Sequence, residues 1–228
     1  VMIDAHDRLP SYLEAHLVEP FGDLDVELAA ELAPEHVVAL TIDRAVYGVP
    51  LSVKSAALYV NDDLVGDAPI ASLEDIEALA PSLPEGSFAL AWDADNAYDA
   101  AALLHAYGAG LLDDEGRYAF EGEGAERAME QLLRLVEHGV VPEEGSYVLT
   151  RGLFTSGRAA TAISGPWMAP DIPASVHYSV RPLPVVRAAD DAPMVPFATV
   201  EAAMIAANAR EPEAARRLAV FLAGPHGA

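Results

Sequence analysis

Three places in the sequence group side chains that can do chemistry or hold a ligand. Asp93 and Asp95 follow the apolar run Phe88–Trp92. Two carboxylates there resemble the acid pair of a glycosidase, which needs its carboxyl groups roughly 5–9.5 Å apart across the scissile bond. Residues i and i+2 of a strand share a face, so the pair is open to that reading. Acids at a strand end also cap helices or meet solvent. His6-Asp7-Arg8 is a second polar cluster, after the apolar opening Val1–Ala5. Polar groups at strand ends are common ligand contacts in α/β folds; an exposed ion pair on a loop is the other reading. Trp167 comes directly after Ala159–Ile163 and the turn signal Ser164-Gly165-Pro166, where Gly frees φ and Pro fixes it. An indole there offers a flat apolar face. Such a face suits a sugar ring, whose C–H bonds line one side and whose hydroxyls need hydrogen bonds at the edge. The competing reading is a core tryptophan, because aromatics dominate cores.

Other chemistries lack their signatures. The sequence has no G-x-S-x-G, no P-loop and no dinucleotide fingerprint. The seven histidines are scattered, with no H-x-x-x-H pair, and there is no Cys, so no metal site, cofactor or disulfide framework is expected.

The elements that must position these residues alternate between strand and helix. Val1–Ala5, Val37–Ile42, Ser55–Val60, Phe88–Trp92, Ala159–Ser164, Val176–Arg181 and Thr199–Ala207 read as extended, with Val176–Arg181 half-buried. Tyr47-Gly48-Val49-Pro50 reads as a turn. Helices are expected at Ser11–Leu17, Asp25–Leu32, after the Ser72 cap, and over Asp99–Tyr107. The strongest helix is Ala125–His138, with Met129, Leu132, Leu133 and Val136 as its apolar face. A helix starting at Tyr147 stops at Gly157. Another follows Glu211-Pro212, with Ala214, Leu218, Phe221 and Leu222 facing inward. Gly110–Phe120 reads as a hairpin-like loop and Arg187–Asp191 as the most linker-like stretch. The class is α/β.

The chain has 228 residues, 52% of them hydrophobic, enough for one large domain or two lobes. Its 36 acidic against 13 basic residues give a net charge of −23. That excludes nucleic acid and anionic membrane surfaces as partners, which need Lys and Arg. No window reaches 18 apolar residues, so no membrane insertion of this segment is expected. The opening Val1-Met2-Ile3-Asp4 has no basic region before an apolar core. It reads as the interior of a fold, so the chain is expected to be a segment of a longer protein.

Ala5-His6-Asp7-Arg8, Tyr47-Gly48-Val49-Pro50, Ser52–Leu64, Phe154–Ala160 and Ile163–Trp167 together carry a family resemblance. In order and spacing they resemble the maltose-binding protein and its relatives, the extracytoplasmic solute-binding proteins of sugar ABC importers. The resemblance covers nearly the whole chain; no single motif is strong, but the set in register is specific. It implies a type II periplasmic-binding-protein-like α/β fold, here one nearly complete lobe plus parts of the other. Residues 1–55 would belong to the first lobe, 56–195 to the second, and 196–228 would return to the first, with hinges near Val53–Ser55 and Pro196–Thr199. The resemblance implies an oligosaccharide ligand, maltose- or maltodextrin-like, and permease subunits as partners. It places the chain outside the cytoplasm, periplasmic or at the cell surface, within a membrane-anchored or permease-fused chain or free. It implies no enzyme and no cofactor.

Carried over by position, Asp7 and Arg8 contact sugar hydroxyls from the first lobe, and Tyr98, Tyr147 and Trp167 are the aromatic contacts of the second. The resemblance also places Lys54 and Asn96 among the ligand contacts, Lys54 standing where the family has an acid and Asn96 where it has a Glu just before its cleft Tyr. Asp4 stands where it has a Trp. The family's opening strand–helix–strand unit and last helices have no counterpart here. The resemblance therefore leaves a second implied reading, a domain that no longer binds sugar and serves as a docking module.

Overall fold

The computed structural model describes residues 1–22, 32–112 and 116–225. The chain forms two compact units, Val1–Lys54 with Ala198–Ala228, and Ser55–Phe197.

In the first unit the strands are β1 (Met2–Ala5), β2 (Val18–Glu19), β3 (Thr41–Ile42), β4 (Ala45–Val46), β5 (Gly48–Ser55) and, from the far end of the chain, β12 (Ala198–Ala206). Its helices are α1 (Leu9–Glu14), α2 (Pro34–Val38) and the terminal α8 (Pro212–Ala223). β12 is the hub. It pairs antiparallel with β1, Met2 opposite Met204 and Ala5 opposite Glu201, with β2 through Ile205 and Ala206, and also with β5. Its side chains alternate between two cores, as the two-residue period of a strand dictates. Val200, Ala202 and Met204 join Leu9, Val18 and Leu40 on one face. Ala203 and Ile205 join Phe21, Val49 and Ala219 on the other.

The second unit carries β6 (Ala57–Asn61), β7 (Phe88–Ala91), β8 (Ala159–Ser164), β9 (Tyr178–Arg181), and the hairpin β10 (Val185–Val186) and β11 (Ala192–Pro193). Its helices are α3 (Asp62–Val65), α4 (Leu73–Glu77), α5 (Ala97–Ala106), α6 (Glu123–Glu137) and α7 (Tyr147–Thr155). The sheet order is β7-β8-β6-β9, with β7 and β8 parallel and the other pairs antiparallel. Leu58, Val60, Leu90 and Trp92 face the larger core with Leu103 and Leu135; Tyr59, Ala91 and Ala162 face the opposite side with Leu153, Phe154 and Met168. Side-chain caps fix the helix starts: Asn61 on α3, a reciprocal Ser72–Asp75 box on α4, Asn96 on α5 and Ser146 on α7.

Several expectations need correction. Pro34–Val38 is a helix with Pro in its first turn, so only Thr41–Ile42 of the expected extended segment is strand. Gly48 begins a strand rather than sitting in a turn. A Cβ there would lie 2.9 Å from the Ala203 carbonyl oxygen, so the residue is needed for close approach of β5 to β12. Arg187–Asp191 is no linker: a 3₁₀ turn holds Arg187–Ala189, and the Arg187 guanidinium donates to Asp75 at 2.6 Å. Glu74 accepts from the Arg187 and Ala188 amides, which hold its carboxyl below the usual range although burial pushes it up. β9 is an edge strand whose Val180 is exposed. The expected helix Asp25–Leu32 falls outside the described residues except for Leu32.

Two helices bury only part of the stripe expected: Leu132 and Val136 of α6 are half-buried against the core and Leu222 of α8 is half-buried, but the deepest positions are others. In α6 the buried residues are Ala125, Ala128, Gln131 and Leu135, while Leu133 is 61% exposed. In α8 Ala219 is fully buried and Ala215 and Ala223 pack beside it, whereas Leu218 and Phe221 are about half exposed. Small residues let the helix axis come close to its neighbour: α6 lies against the alanine-rich α5, and α8 against β12. Met129 and Leu133 of α6, and Leu218 and Phe221 of α8, are then turned outward.

Candidate functional site

β7 and β8 run parallel, with Ala91 opposite Ala162, so their carboxyl ends emerge at one edge of the second unit's sheet. Ligands in open α/β sheets bind beyond the carboxyl ends of the strands. β7 delivers Asp93–Asn96 and the start of α5; β8 delivers Gly165-Pro166-Trp167. A third loop arrives from the α6–α7 connection. Asp95 Oδ2 accepts the Gly145 N–H at 2.9 Å, and a Cβ at Gly145 would lie 2.9 Å from the Asp95 nitrogen. The two loops are therefore in backbone contact. Asp95 is a brace between them, which removes it from the acid pair considered from sequence.

Trp167 occupies the first turn of the 3₁₀ segment Pro166–Asp171. A Cβ built on Gly165 would lie 2.2 Å from two carbons of its six-membered ring and 2.5 Å from a third. The indole thus lies flat against the glycine, and it keeps 37% of its surface exposed. Gly165 has φ −95°, which any residue adopts. The expectation that glycine frees φ here is corrected: the missing Cβ is what matters. Trp167 is not a core residue. Below it, the buried Tyr59 hydroxyl donates to the Gly165 carbonyl at 2.9 Å, and Tyr59 stacks on Tyr178 at 5.9 Å between centroids. Burial pushes the Tyr59 hydroxyl's pKa up, so it stays a neutral donor. The Arg151–Asp171 pair at 3.1 Å ties α7 to the 3₁₀ segment.

The other residues of the second unit are engaged by protein groups. Tyr147 is half-buried, with the Arg151 guanidinium 5.9 Å from its ring centre. Asn96 Oδ1 accepts the Tyr98 N–H at 2.9 Å as the α5 cap. The Tyr98 hydroxyl donates to the Phe197 carbonyl at 3.3 Å, and its ring packs on Phe197, which meets His105 edge-on at 5.2 Å. The Ser55 hydroxyl donates to the same carbonyl at 2.8 Å. Asp99, one residue after Tyr98, was not singled out from sequence. Burial, and then the charge of Asp93, push its carboxyl up to about 6, and its Oδ1 has no hydrogen-bond partner among the described residues. An acid in the first turn of a helix looks in sequence like a dipole partner; only packing shows it half-buried.

In the first unit, Asp7 and Arg8 lie in the exposed 3₁₀ turn His6–Arg8 after β1. His6 anchors that turn, its Nδ1 accepting the Val200 N–H at 3.1 Å. Arg8 lies 3.8 Å from Asp4. The Tyr12 hydroxyl donates to Asp4, holding that carboxyl below its ordinary range. Lys54 is ion-paired with Glu201 across β5 and β12, so its charge is already matched within the protein. The structure thus gathers Asn96, Tyr98, Tyr147 and Trp167 on strand-end loops and helix starts of one unit, and places Asp7, Arg8 and Lys54 in the other.

The whole chain, residues 1–228, matches the family described as bacterial extracellular solute-binding protein. The chain belongs to this family. It is 29% identical over 197 residues to the galactooligosaccharide-binding protein of Bacillus subtilis, covering 80% of the chain and 46% of that protein. To the maltodextrin-binding protein MdxE of the same organism it is 26% identical, covering 95% of the chain and 54% of that protein. The chain spans about half the length of these relatives. A crystal structure of a cyclo/maltodextrin-binding protein complexed with maltotetraose matches with a TM-score of 0.84 at 25% identity, over 99% of this chain and 60% of that one. The fold is of the type II periplasmic-binding class. The family and these relatives are solute-binding proteins, not enzymes. Among the described residues no helix is long and apolar enough to cross a membrane.

Proposed function

We propose that this chain is a carbohydrate-binding part of a solute-binding protein that delivers an oligosaccharide of maltodextrin type to an ABC importer outside the cytoplasm. The observation that carries this reading is the Trp167 indole, seated against Gly165 with more than a third of its surface exposed at the carboxyl end of β8. One ring face rests on backbone, which leaves the other for the C–H face of a sugar. Tyr147 adds an aromatic at the start of α7, next to the loop that Asp95 braces. Relatives named for maltodextrin and galactooligosaccharide binding support the ligand class.

The test is tryptophan fluorescence during titration with maltotetraose and with a galactooligosaccharide. Trp92 is fully buried and Trp167 is not, so the two indoles report separately. A saturable change in the Trp92→Phe protein that vanishes in Trp167→Ala is the expected result. A folded protein that responds to neither sugar, or a response that survives Trp167→Ala, refutes it. A second reading, a family domain that docks within a transporter without holding sugar, draws on the protein partners already engaging Lys54, Asn96 and Tyr98.

A further inference from the structure

α6 presents a second place where polar groups converge, away from the strand-end loops. Arg127, Gln131 and Arg134 recur at i, i+4 and i+7, one stripe of the helix. Together with Tyr107, Glu130 and Ala188 they line a cavity of about 250 Å³. Gln131 is only 5% exposed, and its amide nitrogen has no hydrogen-bond partner among the described residues. Buried donors are almost always paired, so this one points to an acceptor that arrives from outside the chain.

The flanking guanidiniums are already positioned. Arg127 donates to the Ala188 carbonyl at 2.6 Å and lies 5.1 Å over the Tyr107 ring. Arg134 donates to Glu77 at 2.6 Å, and His138 lies 2.9 Å from the same carboxylate oxygen. Each guanidinium has five N–H donors, so each keeps several for a ligand. Glu130 is exposed and is the one acidic lining residue among the described residues. Two fixed guanidiniums and a buried amide form a donor-rich cradle in a chain of net charge −23. Donor-rich cradles select ligands that only accept, which are carboxylates and phosphates.

We propose that Arg127, Gln131 and Arg134 form a binding site for a small oxyanion, separate from the carbohydrate site and independent of whether that site holds sugar. The test is a titration of the ¹⁵N-labelled chain with sodium phosphate and with sodium acetate, at ionic strength matched with sodium chloride. The Gln131 side-chain amide and the two arginine Nε–H groups are the reporters. Saturable shifts confined to these groups with at least one of the two anions are expected, and the tighter binder tells phosphate from carboxylate as the natural head group. Arg127→Gln should weaken the response at least tenfold. Gln131→Met should abolish it while leaving the melting temperature unchanged or higher, because the unpaired amide is replaced by an apolar chain of similar shape. Chloride shifting the same resonances equally, no saturation with either anion, or a Gln131→Met protein that melts lower while still binding would each overturn the proposal.

Discussion

Replacing Asp99 by Asn changes the charge of one half-buried group and little else. Its carboxyl is raised from 3.8 to about 6, first by burial and then by Asp93. The folded state therefore holds this proton more tightly than the unfolded chain. Between these two values the folded state binds more protons, so the Asp99 contribution makes stability fall as pH rises. Below about pH 4 both states are protonated and the penalty is absent; above about pH 6 it is fully developed. A shift of roughly two units, at 1.36 kcal/mol per unit, is worth about 3 kcal/mol. The N-terminal turn of α5 favours the charge, but that field is already part of the environment in which the carboxyl is held up. Asp99 also keeps some solvent contact, which places the measurable effect nearer 2 kcal/mol by the same scale. Asp99→Asn should thus match the unaltered chain near pH 4 and exceed its stability by about 2 kcal/mol near pH 8. Urea unfolding followed by circular dichroism at several pH values, on both proteins, measures this. Repulsion from the net −23 acts on both proteins and largely cancels in the difference. A difference that stays constant with pH, or an Asn variant that is less stable near pH 8, refutes the reasoning.

Gly165→Ala places a methyl group 2.2 Å from the Trp167 ring, where carbon–carbon contact requires about 3.5–4.0 Å. The indole must swing outward by more than an ångström, so its emission should shift to the red and oligosaccharide affinity should fall more than tenfold. The exposed ring has room to move, and a stability loss below about 1 kcal/mol is expected, less than typical core overpacking. Unchanged emission would show that the ring does not rest on the glycine. Ser72→Ala removes half of the reciprocal cap on α4 and should lower stability by about 1 kcal/mol in urea unfolding. An unaltered midpoint would mean that the Arg187 and Glu74 contacts alone hold that segment.

Local rules in the sequence determined much of this protein. The buried strand Ala159–Ser164, the caps at Ser72 and Asn96, the helix stops at Gly108, Gly139 and Gly157, and the polar clusters after β1 and β7 depend on near neighbours only. So does the position of Trp167 at a strand end. Tertiary packing decided which faces are buried: Ala219 rather than Leu218 and Phe221, because close approach selects small side chains and hydropathy ranks them low, and in α6 Gln131 with Leu135 rather than Leu133. It also turned Asp95 into a loop brace and paired Lys54 with Glu201, partners far apart in sequence. Finally it gave Gly48 and Gly165 their purpose. A glycine needed for φ can be read from a turn pattern, but one needed for the absence of a Cβ is defined by the atom that would collide with it.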